Sequence, residues 1–232
     1  MKLLVLDTST ERGIVACVEG QKNLFSIELP YGLLNSQHLI PELARGLSSI
    51  GLNSNQLSGV VVGIGPGSYT GIRVGVTVAK TLSFACNIPL IGVCTLETFI
   101  PTNEGVFAVV IDAKIGGVYL QIGKYEKGLV TPLYPRSICS LAEALIILKD
   151  SRLIVTPNAQ TLRPKLEALC SNVQWDWEEC YPSPMQMAFL GSEKLLKGEC
   201  PSEFDISDTT HLDLLYMRKT QAEIERDKLS QV

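Results

Sequence analysis

The feature that most constrains the fold is an internal echo between residues 2–20 and 106–123. KLLVLDTSTERGIVACVEG and VFAVVIDAKIGGVYLQIG share one layout: an apolar strand ending in Asp, a short glycine-containing turn, then a second apolar strand. Asp7 and Asp112 hold equivalent places in the two copies. A repeat of this length predicts a supersecondary unit built twice, not one continuous sheet.

Each copy is followed by regular elements. In the first, KNLFSIELP alternates as a third strand, so residues 1–30 predict an antiparallel meander. Leu39, Ile40, Leu43, Leu47 and Ile50 recur at helical spacing across 35–50, with Pro41 predicting a kink or a start. SGVVVGIG predicts a buried strand, GPGSYTG a loop, 71–86 a second helix, PLIGVC a strand, and Thr95 the start of a helical turn. After the second copy come a helix (SLAEALIILKD), a strand (RLIVTP) and two helices (TLRPKLEALC and SPMQMAFLGSEKLLKG). Strands that alternate with helices predict an α/β chain whose mixed sheets are covered by helices. The expected division is a first lobe at 1–103, a second at 104–216, and a charged, loosely helical tail at 217–232.

The chain has 232 residues, 46% of them hydrophobic, enough for a sizeable core. Only 19% are charged and the mean hydropathy is +0.20, so some apolar surface is available for a partner. The net charge of -4 and the lack of a basic stripe argue against an independent grip on nucleic acid. Seven cysteines without a CxxC predict reduced thiols rather than a disulfide scaffold. The apolar run at the N-terminus is too short for a signal peptide, and no segment predicts a membrane span, so the expected location is the cytoplasm.

The densest motif is VVVGIGPGSYTGIRVGVTVAKTLSFAC. Gly65, Pro66, Gly67, Ser68 and Thr70 form a loop running into the second helix, with Thr70 the expected N-cap. Free N–H groups at such a helix start can hold an anion, but the loop lacks the Gly-Lys-Ser/Thr of a phosphate-binding loop, and a tight structural turn is preferred. Ser68 lacks the flanking glycines of a nucleophile elbow. Along the helix, Gly71, Gly75, Ala79 and Ser83 are four apart and make a shallow ridge beside Val74, Val78, Leu82 and Ala85, with Arg73, Thr77 and Lys80 as a polar strip. Such a ridge admits a close neighbour. That neighbour is either the chain's own sheet and first helix or another subunit; the second is favoured.

These residues resemble the TsaB (YeaZ) family. The resemblance rests on Leu6-Asp7-Thr8-Ser9, Ser36-Gln37-His38-Leu39-Ile40-Pro41, Gly65 through Arg73, Thr95-Leu96-Glu97, Asp112-Ala113-Lys114 and Tyr216-Met217-Arg218. The family's second-lobe Gly-Glu-Val-Tyr stands here as Gly116-Gly117-Val118-Tyr119, and a glycine-bounded turn is replaced by Thr156-Pro157-Asn158. The resemblance implies a two-lobed actin-like/hexokinase-like (ASKHA, RNase H-like) fold with a duplicated βββαβα unit. It implies a non-catalytic partner of the TsaD transferase, assisted by a TsaE-type ATPase, in making threonylcarbamoyladenosine next to the tRNA anticodon. It also implies a pairing surface on the first-lobe helices: His38, Leu39, Leu43, Gly71, Arg73, Val74, Gly75, Val78, Ala79, Leu82 and Ser83. The same surface could form a homodimer, and tRNA would be met only within the complex.

Three function classes follow. An interaction protein fits best, since the catalytic relative's His-x-x-x-His metal pair has no counterpart: His38 and His211 stand apart. No metal or tightly bound cofactor is expected. A weak nucleotide-binding or ATP-hydrolysing ASKHA protein is the alternative, with Asp7, Thr8, Ser9 and Asp112 as the candidate residues. The plain reading of Asp7 is a turn cap acting on its own backbone. A peptidase is disfavoured, because neither HExxH nor a triad is present.

Overall fold

The computed structural model describes residues 1–32, 35–114, 117–170, 173–198, 214–215 and 217. His211, Tyr216, Arg218, Gly116 and the tail segment 218–232 lie outside them.

In the first half, β1 (Lys2–Asp7), β2 (Ile14–Glu19) and β3 (Lys22–Glu28) form the expected meander. Helix α1 (Asn35–Ser49), β4 (Gly59–Gly63), α2 (Tyr69–Cys86) and β5 (Leu90–Val93) follow, then a 3-10 turn at Thr95–Thr98. β4 and β5 add to β1 in parallel, giving the order β3-β2-β1-β4-β5. The central strands β1 and β4 are buried on both faces and read as unbroken apolar runs, as covered parallel strands do.

The first helix takes its expected range, and the second starts and is capped differently from expectation. α1 runs unbroken from Asn35, not from Pro41. Pro41 and Gln37, whose carbonyl loses its helical donor, both lie on the exposed side, so the unpaired carbonyl is not sealed in the core. α2 begins at Tyr69, and its N-cap is Ser68 rather than Thr70. Ser68 Oγ accepts the Gly71 amide at 3.2 Å, which satisfies one of the orphan donors of the first turn.

The second half repeats the plan. β6 (Gly105–Asp112), β7 (Gly117–Glu126), β8 (Leu129–Pro132), β9 (Ser137–Ser140), α3 (Leu141–Leu148), β10 (Leu153–Thr156), α4 (Ala159–Glu167) and β11 (Asp176–Glu179) build a sheet ordered β11-β10-β6-β7-β8, with β9 also on β7. Reading β8, β7, β6, β10, β11 against β3, β2, β1, β4, β5 shows the same strand order, so the duplicated unit is real at the level of topology. β8 is the third strand that the duplicated unit implied without placing it, and β9 and β11 have no counterpart in the expected elements. They have four residues each, and β11 is the edge strand DWEE, without an apolar alternation to announce it.

Four apolar clusters hold this together. α1 and α2 cover one face of the first sheet through Leu39, Leu43, Leu47, Ile72 and Val76. α3 and α4 cover the second sheet through Ala144, Leu148, Leu162 and Leu166. The other face of the second sheet meets the turn after β5, with Leu96 and Phe99 against Phe107, Val109 and Ile111, and this contact joins the lobes. Helix α5 (Pro184–Leu196) falls within the range assigned by sequence to the second lobe, yet it packs on the first sheet, where Met187 and Ala188 lie against Val5, Val61 and Ile91.

Candidate functional site

The strand-end aspartates begin the site. β1 ends at Asp7, whose Oδ1 accepts the Ser9 amide at 2.7 Å. β6 ends at Asp112, whose Oδ1 accepts the Lys114 amide at 2.8 Å. Both are the same turn, closed by the aspartate on the amide two residues on.

Their surroundings diverge. Asp7 is 1% exposed, and its Oδ2 accepts the Thr95 hydroxyl at 2.8 Å. Thr95 Oγ1 also accepts the Gly65 amide at 3.2 Å and lies 3.1 Å from Ser9 Oγ. Burial pushes the Asp7 carboxyl above the ordinary range, opposed by the hydrogen bonds from Ser9 and Thr95. Thr95 is thus the hub of this network, and the sequence reading singled it out only as a motif position. Asp112 is half-buried, with 9% of its side chain exposed, and its Oδ2 pairs with Lys165 Nζ of α4 at 2.7 Å.

The glycine loop packs onto the Asp7 turn. Thr8 donates its hydroxyl to the Gly71 carbonyl at 2.7 Å, and the Ser68 amide donates to the Ser9 carbonyl at 2.7 Å. A Cβ at Gly67 would sit 2.1 Å from the Ser9 carbonyl oxygen, one at Gly71 2.1 Å from that of Thr8, and one at Gly75 2.5 Å from Thr8 Oγ1. Only hydrogen fits there.

This corrects the expected surface. The ridge of Gly71, Gly75, Ala79 and Ser83 is not free for a partner: Gly75 lies against Thr8 and Leu6, and Ala79 and Ser83 are fully buried. Leu39 and Leu43 are also core residues, under α1 and α2. Small residues admit a close neighbour, and here the neighbour is the chain's own first strand and its turn. His38, Val74, Val78 and Leu82 are half-buried, and Arg73 is exposed, stacked 4.0 Å over the Tyr69 ring. The outward surface adds three side chains absent from the expected set: Ile40 is 59% exposed, Phe84 53% and Tyr69 39%. Ile40 was read as part of the helix's apolar spacing. With Leu39 inward, the next residue turns out by about 100°, which is the signal that could have placed it.

Between the lobes, the turn after β1 meets the ends of β10 and β11. Arg12 donates Nε to the Pro157 carbonyl at 2.7 Å and pairs with Glu179 at 2.5 Å, with the Tyr31 and Tyr181 rings 5.3 and 5.1 Å away. Glu179 also accepts the Ala159 amide at 2.7 Å, at the start of α4. Lys114 pairs with Glu11 at 2.5 Å. Among the described residues, no three His, Cys, Asp or Glu side chains come together as a metal cluster would require. The six described cysteines are free; burial pushes the Cys17 thiol up to about 11 and that of Cys180 up to about 12. No helix among the described residues is long and apolar enough to cross a membrane.

Comparison with known proteins decides the family. The model for "TsaD: tRNA N6-adenosine threonylcarbamoyltransferase" matches residues 35–193. The Bacillus subtilis tRNA threonylcarbamoyladenosine biosynthesis protein TsaB is 30% identical over 203 residues, 84% of this chain and 88% of that protein. The chain belongs to the TsaB (YeaZ) family. The Escherichia coli TsaB is 32% identical over 127 residues, covering 51% of this chain and 53% of its own length. YeaZ from Pseudomonas aeruginosa superimposes with a TM-score of 0.69 at 21% identity, over 86% of this chain and 94% of that one. The fold is accordingly that of YeaZ.

Proposed function

We propose that this chain serves the biosynthesis of threonylcarbamoyladenosine in tRNA as a non-catalytic partner of a TsaD-type transferase. The likeness to the Bacillus subtilis TsaB over most of both chains carries the reading. Three features of the molecule support it. The carboxylate that ASKHA enzymes would place near a metal–phosphate group, Asp7, is sealed by Thr95 and the glycine loop. The outer surfaces of α1 and α2 present Ile40, Tyr69 and Phe84 with half-buried Val74, Val78 and Leu82, an apolar face with few charges. The net charge of -4 leaves contact with tRNA to another subunit, with a TsaE-type ATPase completing the assembly in the cytoplasm. The same face serves a homodimer in the absence of the transferase, so the two pairings exclude each other.

The test uses the chain mixed with its TsaD-type relative. Alone it should leave tRNA unmodified; mixed, it should restore threonylcarbamoyl transfer. Ile40→Asp with Phe84→Asp should cut co-elution and transfer at least tenfold while the thermal melt is unchanged. Full activity in that double variant would place the contact elsewhere, and transfer by the chain alone would overturn the non-catalytic role.

The second reading is weak nucleotide binding between the lobes. It is favoured by Arg12, Lys114 and Lys165, three cations gathered where the two strand-end turns face each other. Each already pairs with a carboxylate, so a polyphosphate would have to displace Glu179, Glu11 or Asp112. Calorimetry with ATP and Mg²⁺ on the chain and on Lys165→Ala separates the readings: heat of binding lost in the variant supports a nucleotide site.

A further inference from the structure

The two lobes meet through contacts of two different characters. One is apolar: Leu96 and Phe99 lie against Phe107, Val109 and Ile111. Hydrophobic burial is non-directional, so this join supplies adhesion without choosing the angle between the sheets. The other is charged, and it is concentrated in the turn between β1 and β2.

That turn offers two neighbouring side chains of opposite sign. Glu11 takes Lys114 Nζ at 2.5 Å. Arg12 takes Glu179 at 2.5 Å and adds a bond from Nε to the Pro157 carbonyl at 2.7 Å. Lys114 follows β6, Pro157 follows β10, and Glu179 ends β11. One first-lobe turn thus reaches across the ends of three strands that are neighbours in the second sheet.

Each member is held by its own surroundings before it reaches across. The Glu11 carbonyl accepts the Gly32 amide at 2.9 Å, and the Arg12 amide donates to Thr10 Oγ1 at 3.3 Å. The Tyr31 and Tyr181 rings flank the Arg12 guanidinium. On the other side, Glu179 Oε1 accepts the Ala159 and Gln160 amides at 2.7 and 3.3 Å, and the Lys114 amide donates to Asp112 at 2.8 Å. Such pre-organisation lowers the ordering cost of the contact. Partly exposed ion pairs contribute little energy, yet charge complementarity fixes register, because a wrong alignment sets like charges together. Here a slip along the strand ends would carry Arg12 towards Lys114, or Glu11 towards Glu179.

We infer that Glu11 and Arg12 form a two-charge key whose fit against Lys114 and Glu179 sets the angle between the lobes. The apolar join holds the lobes together, and the key chooses how. The inference rests on neither the partner reading nor the nucleotide reading, and both can fail with the key intact.

Residual dipolar couplings of the full chain in a strained polyacrylamide gel measure the angle directly. At low salt, one alignment tensor should fit both sheets of the wild type. Glu11→Lys and Lys114→Glu each set like charges together, and each should give two tensors that no longer coincide. Glu11→Lys combined with Lys114→Glu reverses the pair and should restore the common tensor. The Lys114 side chain is 57% exposed, so its variant folds even where the Glu11 variant does not. Arg163→Ala removes an ion pair inside α4 and, as the control, should keep one tensor. Wild type taken from about 0.01 M to about 1 M salt, where the Debye length falls from ~30 to ~3 Å, should lose the common tensor. Coincident tensors in both single variants, a double variant no better than the singles, or a wild type indifferent to salt would overturn the key.

Discussion

The two copies of the repeat end their first strand with the same turn and put it to opposite use. In the first copy, the glycine loop and α2 descend on the turn until Gly67, Gly71 and Gly75 touch its backbone and Thr8, and Asp7 disappears from solvent. In the second, α4 has no glycine in its sequence AQTLRPKLE and brings Lys165 instead, so Asp112, with 9% of its side chain exposed, takes an ion pair. The difference teaches that the position of a carboxylate in a repeat does not set its chemistry. The side chains of the helix above it do, by deciding whether the carboxylate meets hydroxyls and backbone or a lysine.

The comparison breaks most readily at the glycines. Gly71→Ala and Gly75→Leu should each cost about 3–5 kcal/mol in denaturant unfolding, because their new atoms meet the Thr8 carbonyl or hydroxyl and the backbone has to move. Stable, folded variants would show that the contact between helix and turn is slack. Asp7→Ala comes next, at about 2–4 kcal/mol, since it strands the Ser9 amide and the Thr95 hydroxyl.

Asp7→Asn sharpens the point through pH. The folded protein holds the Asp7 proton more tightly than the unfolded chain does, because burial raises the folded value. Its contribution is fully present below the unfolded carboxyl value near 3.8 and is lost as pH rises through the higher folded value. Wild type should therefore gain on Asp7→Asn as pH falls from 7 towards 4; a flat difference would mean that the carboxyl is not desolvated.

Smaller effects test the join and the exposed copy. Arg12→Ala should lower stability by about 1–2 kcal/mol, less in high salt, since it removes a partly screened charge pair and the bond to Pro157. Lys165→Ala should cost under about 1 kcal/mol, measured in the same way, because its ammonium group is substantially hydrated.

Much of this was legible in the chain. The echo around Asp7 and Asp112 gave the duplication because strands buried on both faces write long apolar runs. β8, β9 and β11 were not legible, because short edge strands take their register from neighbours rather than from their own pattern. The ridge on α2 was read correctly as a place of close approach and given the wrong neighbour. Spacing along a helix says that something comes near; it does not say whether Thr8 or another polypeptide does. The part Thr95 plays between Asp7 and Gly65 was not legible, because one hydroxyl between two distant loops leaves no periodic trace.

Helix α5 has a consequence for synthesis. The face of the first sheet made by Leu3, Val5, Val61 and Val93 is covered by residues 184–196, which leave the ribosome only after the entire second sheet. Until then the nascent first lobe carries a bare aliphatic wall, exposed for as long as translation of the intervening residues takes. Nascent chains halted before residue 184 should accordingly be the ones that chaperones hold and that aggregate when released.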